Sequence, residues 1–198
     1  MSEPVVLVPG LWMPAAGMAL LAARLSRFRT HFFGYRGRAP YDANVEALAR
    51  FARGKPFLVG HSLGGVLVLD MLNRHPEIDI QAVVLLGAPV RGCLAGRRLG
   101  RARLGRWMMG ACCALWQERS ARWTRRAPLG VVAGTLPLGL GRAFGALPGV
   151  NDGVVCVEET TVEGMSGRRL VRQGHSMLIV SREVGSLVRG FLACGTFA

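Results

Sequence analysis

The sequence predicts an α/β fold: one domain built on a doubly wound, mostly parallel sheet of about six strands. Three observations support this class. Strand-like apolar runs alternate with helical patterns along the chain. The run 81–86 is apolar almost throughout, as expected when helices cover both faces of a parallel sheet. The length of 198 residues is enough for one domain with a sizeable core and leaves no room for a separate cap domain.

Local patterns place the elements of this fold in order. The first strand is the apolar run that stops at Pro9-Gly10. The helix over 63–74 is expected to end before Pro76, because proline disfavours a helical backbone in the residue before it. Strands are predicted near residues 4–8, 29–34, 56–60, 80–87, 129–134 and 168–172. Helices are predicted over about 14–26, 43–53, 63–74 and 176–193.

The run 56–67 carries the most informative motif of the chain. An apolar strand leads into Gly60-His61-Ser62-Leu63-Gly64, and an apolar helix follows. This G-x-S-x-G pattern, with a strand before it and a helix after it, is typical of a nucleophile elbow. The sharp turn forces the serine into a strained backbone conformation that lifts its hydroxyl off the sheet. Ser62 is therefore the candidate nucleophile.

A serine hydroxyl is a weak nucleophile at neutral pH, so it needs a histidine base and a carboxylate that orients this base. His175 is the candidate base, because it follows the last predicted strand, in a loop at the strand's carboxyl end. The other histidines have structural explanations. His31 lies within a strand, His61 is expected to pack beside the elbow, and His75 suits the negative end of a helix.

Asp152 is the candidate acid. It lies in the turn Asn151-Asp152-Gly153, between the predicted strand 129–134 and His175. The alternative is that Asp152 serves only to form the turn, since Asn-Asp-Gly favours tight turns by itself. Asp70 and Asp79 are poorer candidates, because the first lies on the helix behind the elbow and the second in a connection. Glu158 is the reserve choice.

Two backbone amides are predicted to bind the negative oxygen that forms during acyl transfer. In the elbow architecture one amide follows the nucleophile, and the other comes from the loop after an early strand. Leu63 supplies the first. Leu11, directly after Pro9-Gly10, is the candidate for the second. The alternative for Pro9-Gly10 is an ordinary turn that ends the strand.

Together these motifs resemble the α/β-hydrolase superfamily and, within it, small bacterial lipases and esterases of the triacylglycerol lipase type. The resemblance covers nearly the whole chain and implies a minimal α/β-hydrolase fold, without the antiparallel strands that open the full superfamily sheet. It rests on Leu7-Val8-Pro9-Gly10, Gly60-His61-Ser62-Leu63-Gly64-Gly65, Leu86-Gly87-Ala88-Pro89-Val90-Arg91-Gly92 and Asn151-Asp152-Gly153.

The resemblance implies hydrolysis of carboxylic esters. In bacterial triacylglycerol lipases a similar N-D-G segment carries the acid, which favours Asp152 over Glu158. Two departures from the family pattern lie where a substrate would be positioned. Pro9-Gly10 stands where many relatives have His-Gly, and Cys93 stands where a serine often follows the G-x-P-x-x-G loop.

Residues 91–126, called the insertion below, interrupt the alternation of strands and helices. They hold ten arginines against the single acid Glu118, so nine of the thirteen net positive charges lie there. Trp107, Ala111 and Leu115 are spaced to share one helical face. In lipases the corresponding insertion often forms a lid, and a basic amphipathic helix could bind an anionic membrane. The alternative is a solvated face, and nucleic-acid binding is disfavoured because no matching motif accompanies the charge.

These observations predict a serine hydrolase that cleaves carboxylic esters through an acyl-enzyme. A thioesterase or an acyltransferase with the same residues is an alternative, as is a non-catalytic protein that binds anionic lipid. No metal-ligand or cofactor pattern is present, and the five cysteines show no C-x-x-C pair, so we expect reduced thiols. The N-terminus lacks a basic segment, which favours a cytoplasmic protein, with peripheral membrane attachment left open. The longest apolar stretch, 127–141, is broken by glycines and Pro137.

Overall fold

A six-stranded, fully parallel sheet forms the centre of the structure, a computed structural model that describes residues 3–139 and 145–197. The strands are β1 (Pro4–Val8), β2 (Arg29–Phe32), β3 (Phe57–His61), β4 (Val83–Leu86), β5 (Leu129–Gly134) and β6 (Gly167–Val171). They pair in the order β2-β1-β3-β4-β5-β6. The predicted fold class is confirmed, and the end of the apolar stretch 127–141 lies outside the described residues.

Helices cover both faces of this sheet. The α-helices are α1 (Ala19–Arg24), α2 (Tyr41–Phe51), α3 (Leu63–Arg74), α4 (Leu94–Leu99), α5 (Arg103–Met109) and α6 (Arg182–Cys194). Side chains of α2 and α3 pack on one face of the sheet, and those of α1 and α6 pack on the other. Because both faces are covered, β1, β3, β4 and β5 have no exposed residue. No helix in the described part of the chain is both long and apolar enough to cross a membrane.

Several element boundaries differ from the prediction, for local reasons. The predicted helix 14–26 begins as a 3-10 helix, Ala15–Met18, before α1. The predicted helix 176–193 is divided into a 3-10 helix, His175–Ile179, and α6. The division falls at Ser181, whose hydroxyl accepts a hydrogen bond from the amide of Val184 and so caps a new helix.

The insertion does not form the single amphipathic helix expected from its spacing. It folds as α4, α5 and a 3-10 helix, Gly110–Trp116. Gly110, with φ of 55°, ends α5, so Trp107 does not share a helical face with Ala111 and Leu115. Trp107 is 60% exposed, whereas Met109, Cys112 and Trp116 are buried. The insertion therefore packs on the domain through a different set of side chains from the predicted one.

Glycines allow α3 to approach the sheet closely. A Cβ atom on Gly64 would collide with the carbonyl oxygens of Val8 and Pro9. A Cβ atom on Gly65 would lie 2.5 Å from the Cβ atom of Ala88. The small residues of G-x-S-x-G therefore bring the start of α3 against the carboxyl end of β1.

We expect Gly64→Ala to lower the free energy of unfolding by about 1–3 kcal/mol. The added Cβ atom would collide with the carbonyl oxygens of Val8 and Pro9, which belong to the backbone and cannot easily move away. Gly190→Ala is the matched control. Gly190 lies in α6 with open space around its Cα, so the same change should raise stability by about 1 kcal/mol. Urea unfolding of the two variants measures both effects. Equal stability of the two variants would contradict the packing argument.

Candidate active site

Ser62 occupies the turn between β3 and α3. Its backbone has φ of 53° and ψ of −126°, a conformation that side chains rarely adopt. The amide of Ser62 donates to the carbonyl of Leu86 at 2.9 Å, and its carbonyl accepts from the amides of Gly65 and Val66. The turn is thereby fixed to β4 on one side and to α3 on the other, and it presents the hydroxyl at the carboxyl edge of the sheet.

Ser62, His175 and Asp152 form one hydrogen-bonded series. The distance from His175 Nδ1 to Asp152 Oδ2 is 2.7 Å, and the distance from His175 Nε2 to Ser62 Oγ is 2.9 Å. A carboxylate only accepts hydrogen bonds, so Nδ1 carries the proton and Nε2 is free to accept from the serine hydroxyl. The structure thus brings together the three side chains that the sequence singled out, from the loops after β3, β5 and β6.

The Asn151-Asp152-Gly153 segment both forms a turn and holds the carboxylate. Asp152 Oδ1 accepts from the amides of Val154 at 3.0 Å and Val155 at 2.7 Å, which leaves Oδ2 for His175. The amide of His175 also donates to the carbonyl of Asp152 at 2.9 Å. Asp152 is only 1% exposed. Its buried carboxylate accepts hydrogen bonds from two backbone amides and contacts the imidazole of His175. These hydrogen bonds fix its orientation.

The two predicted oxyanion amides lie on loops beside Ser62. Leu63 is the first residue of α3, and Leu11 follows β1. Gly10 lies so close that a Cβ atom there would be 3.0 Å from the Cβ atom of Ser62. Within the described residues, no hydrogen bond uses the amide of Leu11 or of Leu63.

A cavity of about 170 Å³ opens beside Ser62 and His175. Its walls are almost entirely apolar, and the insertion contributes about half of them: Cys93, Ala95, Gly96, Leu99, Met109 and Trp116. Burial raises the pKa of the Cys93 thiol to about 12, so this thiol stays protonated at neutral pH and is no rival nucleophile. The cavity suits an apolar group held beside the Ser62 hydroxyl.

A family model described as "Alpha/beta hydrolase family" matches residues 5–182. The chain belongs to the alpha/beta hydrolase family. This hydrolase also superposes on solved structures of the same fold. A mature lipase from Bacillus licheniformis matches with a TM-score of 0.74 and 16% identity, over 99% of this chain and 93% of the lipase. The propeptide form of that lipase matches with a TM-score of 0.75 and 17% identity, over 100% of this chain and 51% of the longer protein.

A meta-cleavage product hydrolase from Pseudomonas fluorescens is also similar. It matches with a TM-score of 0.70 and 15% identity, over 97% of this chain and 91% of that protein. At such identities the matches establish a shared fold, and one fold can serve different reactions.

Glu158, the reserve acid, makes no hydrogen bond to His175 in the described part of the hydrolase. It is exposed on the 3-10 helix Val157–Thr160, whereas Asp152 contacts His175. Its neighbour Glu159 is the carboxylate with a structural role that the sequence did not indicate. Glu159 accepts from the amide of Leu94 at 2.6 Å and from that of Cys156 at 2.8 Å. Burial raises its pKa.

Glu159 thereby connects the acid loop to the start of α4. The only signal in the sequence is its position three residues after Cys156, which matches the spacing of a capping box. Cysteine is an unusual residue at the first position of that motif, so the pattern is hard to recognise without the structure.

His61 packs beside the elbow as predicted and also holds the loop of His175. Its Nε2 lies 3.1 Å from the carbonyl oxygen of His175, and the two rings are 4.9 Å apart. Burial, followed by repulsion from His175, lowers the pKa of His61 to about 3. The ring is therefore neutral and donates through Nε2. Its Nδ1 has no hydrogen-bond partner among the described residues.

No group of three or more histidine, cysteine, aspartate or glutamate side chains within residues 3–139 and 145–197 is arranged to hold a metal ion. All five cysteines, which lie at 93, 112, 113, 156 and 194, are free thiols.

The depressed pKa of His61 makes stability depend on pH. Above pH 6.5 the ring is neutral in both the folded and the unfolded chain, so its burial adds no pH dependence. Below pH 6.5 the unfolded chain binds a proton that the folded chain does not, and stability falls until the folded pKa is reached. Between pH 6 and pH 4 we expect wild type to lose about 2 kcal/mol more unfolding free energy than His61→Gln.

Urea unfolding of both proteins at several pH values in this range measures the difference. Parallel pH profiles for wild type and His61→Gln would show that the pKa of His61 is the same in the folded and the unfolded chain, which would contradict the prediction.

Proposed function

We propose that this hydrolase is a serine esterase or lipase, which cleaves carboxylic esters through an acyl-enzyme. The observation that carries the proposal is the series Ser62, His175 and Asp152, hydrogen-bonded in that order at the mouth of an apolar cavity. Each group meets the geometric requirement for its role, since both distances fall within hydrogen-bonding range before any substrate is bound.

In the first half-reaction, His175 Nε2 takes the proton of Ser62 Oγ as that oxygen attacks the ester carbonyl carbon. The carbonyl oxygen becomes negative in the tetrahedral intermediate, where the amides of Leu11 and Leu63 donate to it. When the intermediate collapses, the imidazolium gives its proton to the leaving alcohol oxygen. Asp152 keeps Nδ1 protonated and stabilises the positive charge on the ring.

In the second half-reaction a water molecule replaces the alcohol. His175 removes a proton from this water as the water oxygen attacks the acyl-enzyme carbonyl. The imidazolium then returns the proton to the Ser62 oxygen as the bond to the acyl group breaks and the carboxylic acid leaves. A thiol leaving group or an acceptor alcohol would use the same steps. The apolar walls of the cavity and the similarity to a lipase favour an ester of an apolar acid.

We also propose that residues 1–198 act as one hydrolase domain in which the insertion is a lid. The support is that the insertion supplies a wall of the cavity and is attached to two loops of the site. Trp12, next to Leu11, donates its indole N–H to the carbonyl of Met108 at 3.0 Å, and Glu159 accepts from the amide of Leu94.

The outer side of this lid suits contact with an anionic membrane. Leu104 and Trp107 on α5 are 66% and 60% exposed, and arginines flank them along the helix. Apolar side chains that reach into a bilayer interface, with cationic side chains around them, are typical of peripheral membrane binding.

A fluorophosphonate probe tests the nucleophile without knowledge of the substrate. We expect wild type to be labelled on Ser62 and Ser62→Ala to be unlabelled while it keeps the wild-type melting temperature. Labelling is measured by intact mass. A folded wild type that remains unlabelled would overturn the proposal. Co-sedimentation with anionic vesicles would then test the non-catalytic alternative, lipid binding by the insertion.

The acid is tested by comparing two carboxylates on neighbouring segments. Asp152→Asn should lower kcat by about four orders of magnitude, because an amide no longer selects the Nδ1–H form of the imidazole. Glu158→Gln, at the exposed reserve position, should leave kcat within about twofold of wild type. Hydrolysis of 4-nitrophenyl butyrate measures both. A large loss in Glu158→Gln with a small one in Asp152→Asn would transfer the role to Glu158.

A further inference from the structure

The cavity beside Ser62 has exposed and buried walls. Trp12 lines it and is 55% exposed. Met109 and Trp116 also line it and are deeply buried, at 1% and 5% exposed. An acyl chain held at Ser62 has no room to pass these two buried side chains, which we call the end wall.

The end wall is held in place by several contacts. The indole N–H of Trp116 donates to the thioether sulfur of Met109 at 3.1 Å, and the carbonyl of Trp116 accepts from the amide of Cys93 at 3.1 Å. Gly96 leaves no gap behind the ring, because a Cβ atom there would lie 2.7 Å from Trp116 Cγ. The wall therefore has little freedom to withdraw in response to a longer chain.

The volume of the cavity limits what fits in front of this wall. A cavity of about 150 Å³ accommodates a benzene ring, which has six carbons. The cavity here is about 170 Å³. Sites that bind drug-sized ligands are larger, about 300–1,000 Å³.

From this geometry we infer that the substrates are esters of short, apolar acids with up to about six carbons, and that Met109 and Trp116 set this limit. The inference rests on the proposed esterase function and adds the acyl-chain length. Two hydrogen bonds hold the insertion over the cavity and so keep the cavity at its present size. One joins Trp12 to the carbonyl of Met108, and the other joins Glu159 to the amide of Leu94.

The first experiment measures kcat/KM of wild type for 4-nitrophenyl esters from acetate to dodecanoate. We expect kcat/KM to rise up to about fourfold with each methylene that the cavity buries. Beyond about six carbons it should fall by at least about tenfold, because a further methylene meets the end wall. A rate that keeps rising to dodecanoate would overturn the inference and indicate that the insertion opens.

Variants of the cavity walls test the assignment of the limit. Met109→Ala removes the thioether chain, so the preferred acyl chain should lengthen by about two carbons. Ala95→Val fills part of the cavity, so the preferred chain should shorten. Met108→Ala is the matched control, because the Met108 side chain does not line the cavity and its backbone carbonyl is kept. It should retain the wild-type preference.

The two variants act in opposite directions, so loss of folding in one leaves the other as a test. An unchanged preference in both folded variants would overturn the role of the end wall. Fluorophosphonate labelling separates this result from failure of the proposed function. If Ser62 is labelled and long esters are preferred, the length limit alone is wrong. If Ser62 is unlabelled and no ester reacts, both the proposed function and the length limit are wrong.

Discussion

His175 is the residue on which the site depends. Its two ring nitrogens contact Asp152 and Ser62, its amide donates to the carbonyl of Asp152, and its carbonyl accepts from His61. These contacts fix both the ring and the backbone of a short 3-10 helix that would otherwise be a surface loop. The loops after β3, β5 and β6 therefore meet at one imidazole, and movement of any of them would break its contact with Ser62 or with Asp152.

The two buried carboxylates around the site are stabilised in the same way. Asp152 receives two amides and an imidazole, and Glu159 receives the amides of Leu94 and Cys156. Each carboxylate is compensated for lost hydration by donors that also fix its position. His61 differs, since its lowered pKa keeps the ring neutral and its Nδ1 has no partner within residues 3–139 and 145–197. Because burial lowers the pKa of His61, we expect the free energy of unfolding to fall in acid.

The parallel sheet and the insertion contribute different things. The sheet edge holds Ser62, His175 and Asp152 in one hydrogen-bonded series, beside the loops that carry Leu11 and Leu63. The insertion supplies buried walls of the cavity, among them Met109 and Trp116. Its buried apolar side chains face the cavity and the core, whereas Leu104 and Trp107 lie exposed among arginines on α5. The hydrogen-bonded series and about half of the cavity walls therefore come from separate parts of the same domain.

The sequence by itself determined the fold class and the residues that meet at the site. Strands buried on both faces must be apolar throughout, and the elbow requires glycines at fixed positions, so both leave a pattern that local inspection finds. The elbow motif and the resemblance to the α/β-hydrolase superfamily then predicted that Ser62, Asp152 and His175 lie together, with Glu158 in reserve. The division of the last predicted helix at Ser181 was missed, because a serine cap within an apolar pattern competes with helix continuation.

Only the tertiary structure decided the form of the insertion and the roles of Glu159 and His61. The spacing of Trp107, Ala111 and Leu115 predicted one helix, but the positive φ of Gly110 ends α5 and turns other side chains inward. Glu159 and His61 act on residues distant in the chain, and no local pattern records such a partner. Periodicity reports which face of an element is buried, whereas the volume of a cavity and the partner of a buried charge depend on how separate elements pack.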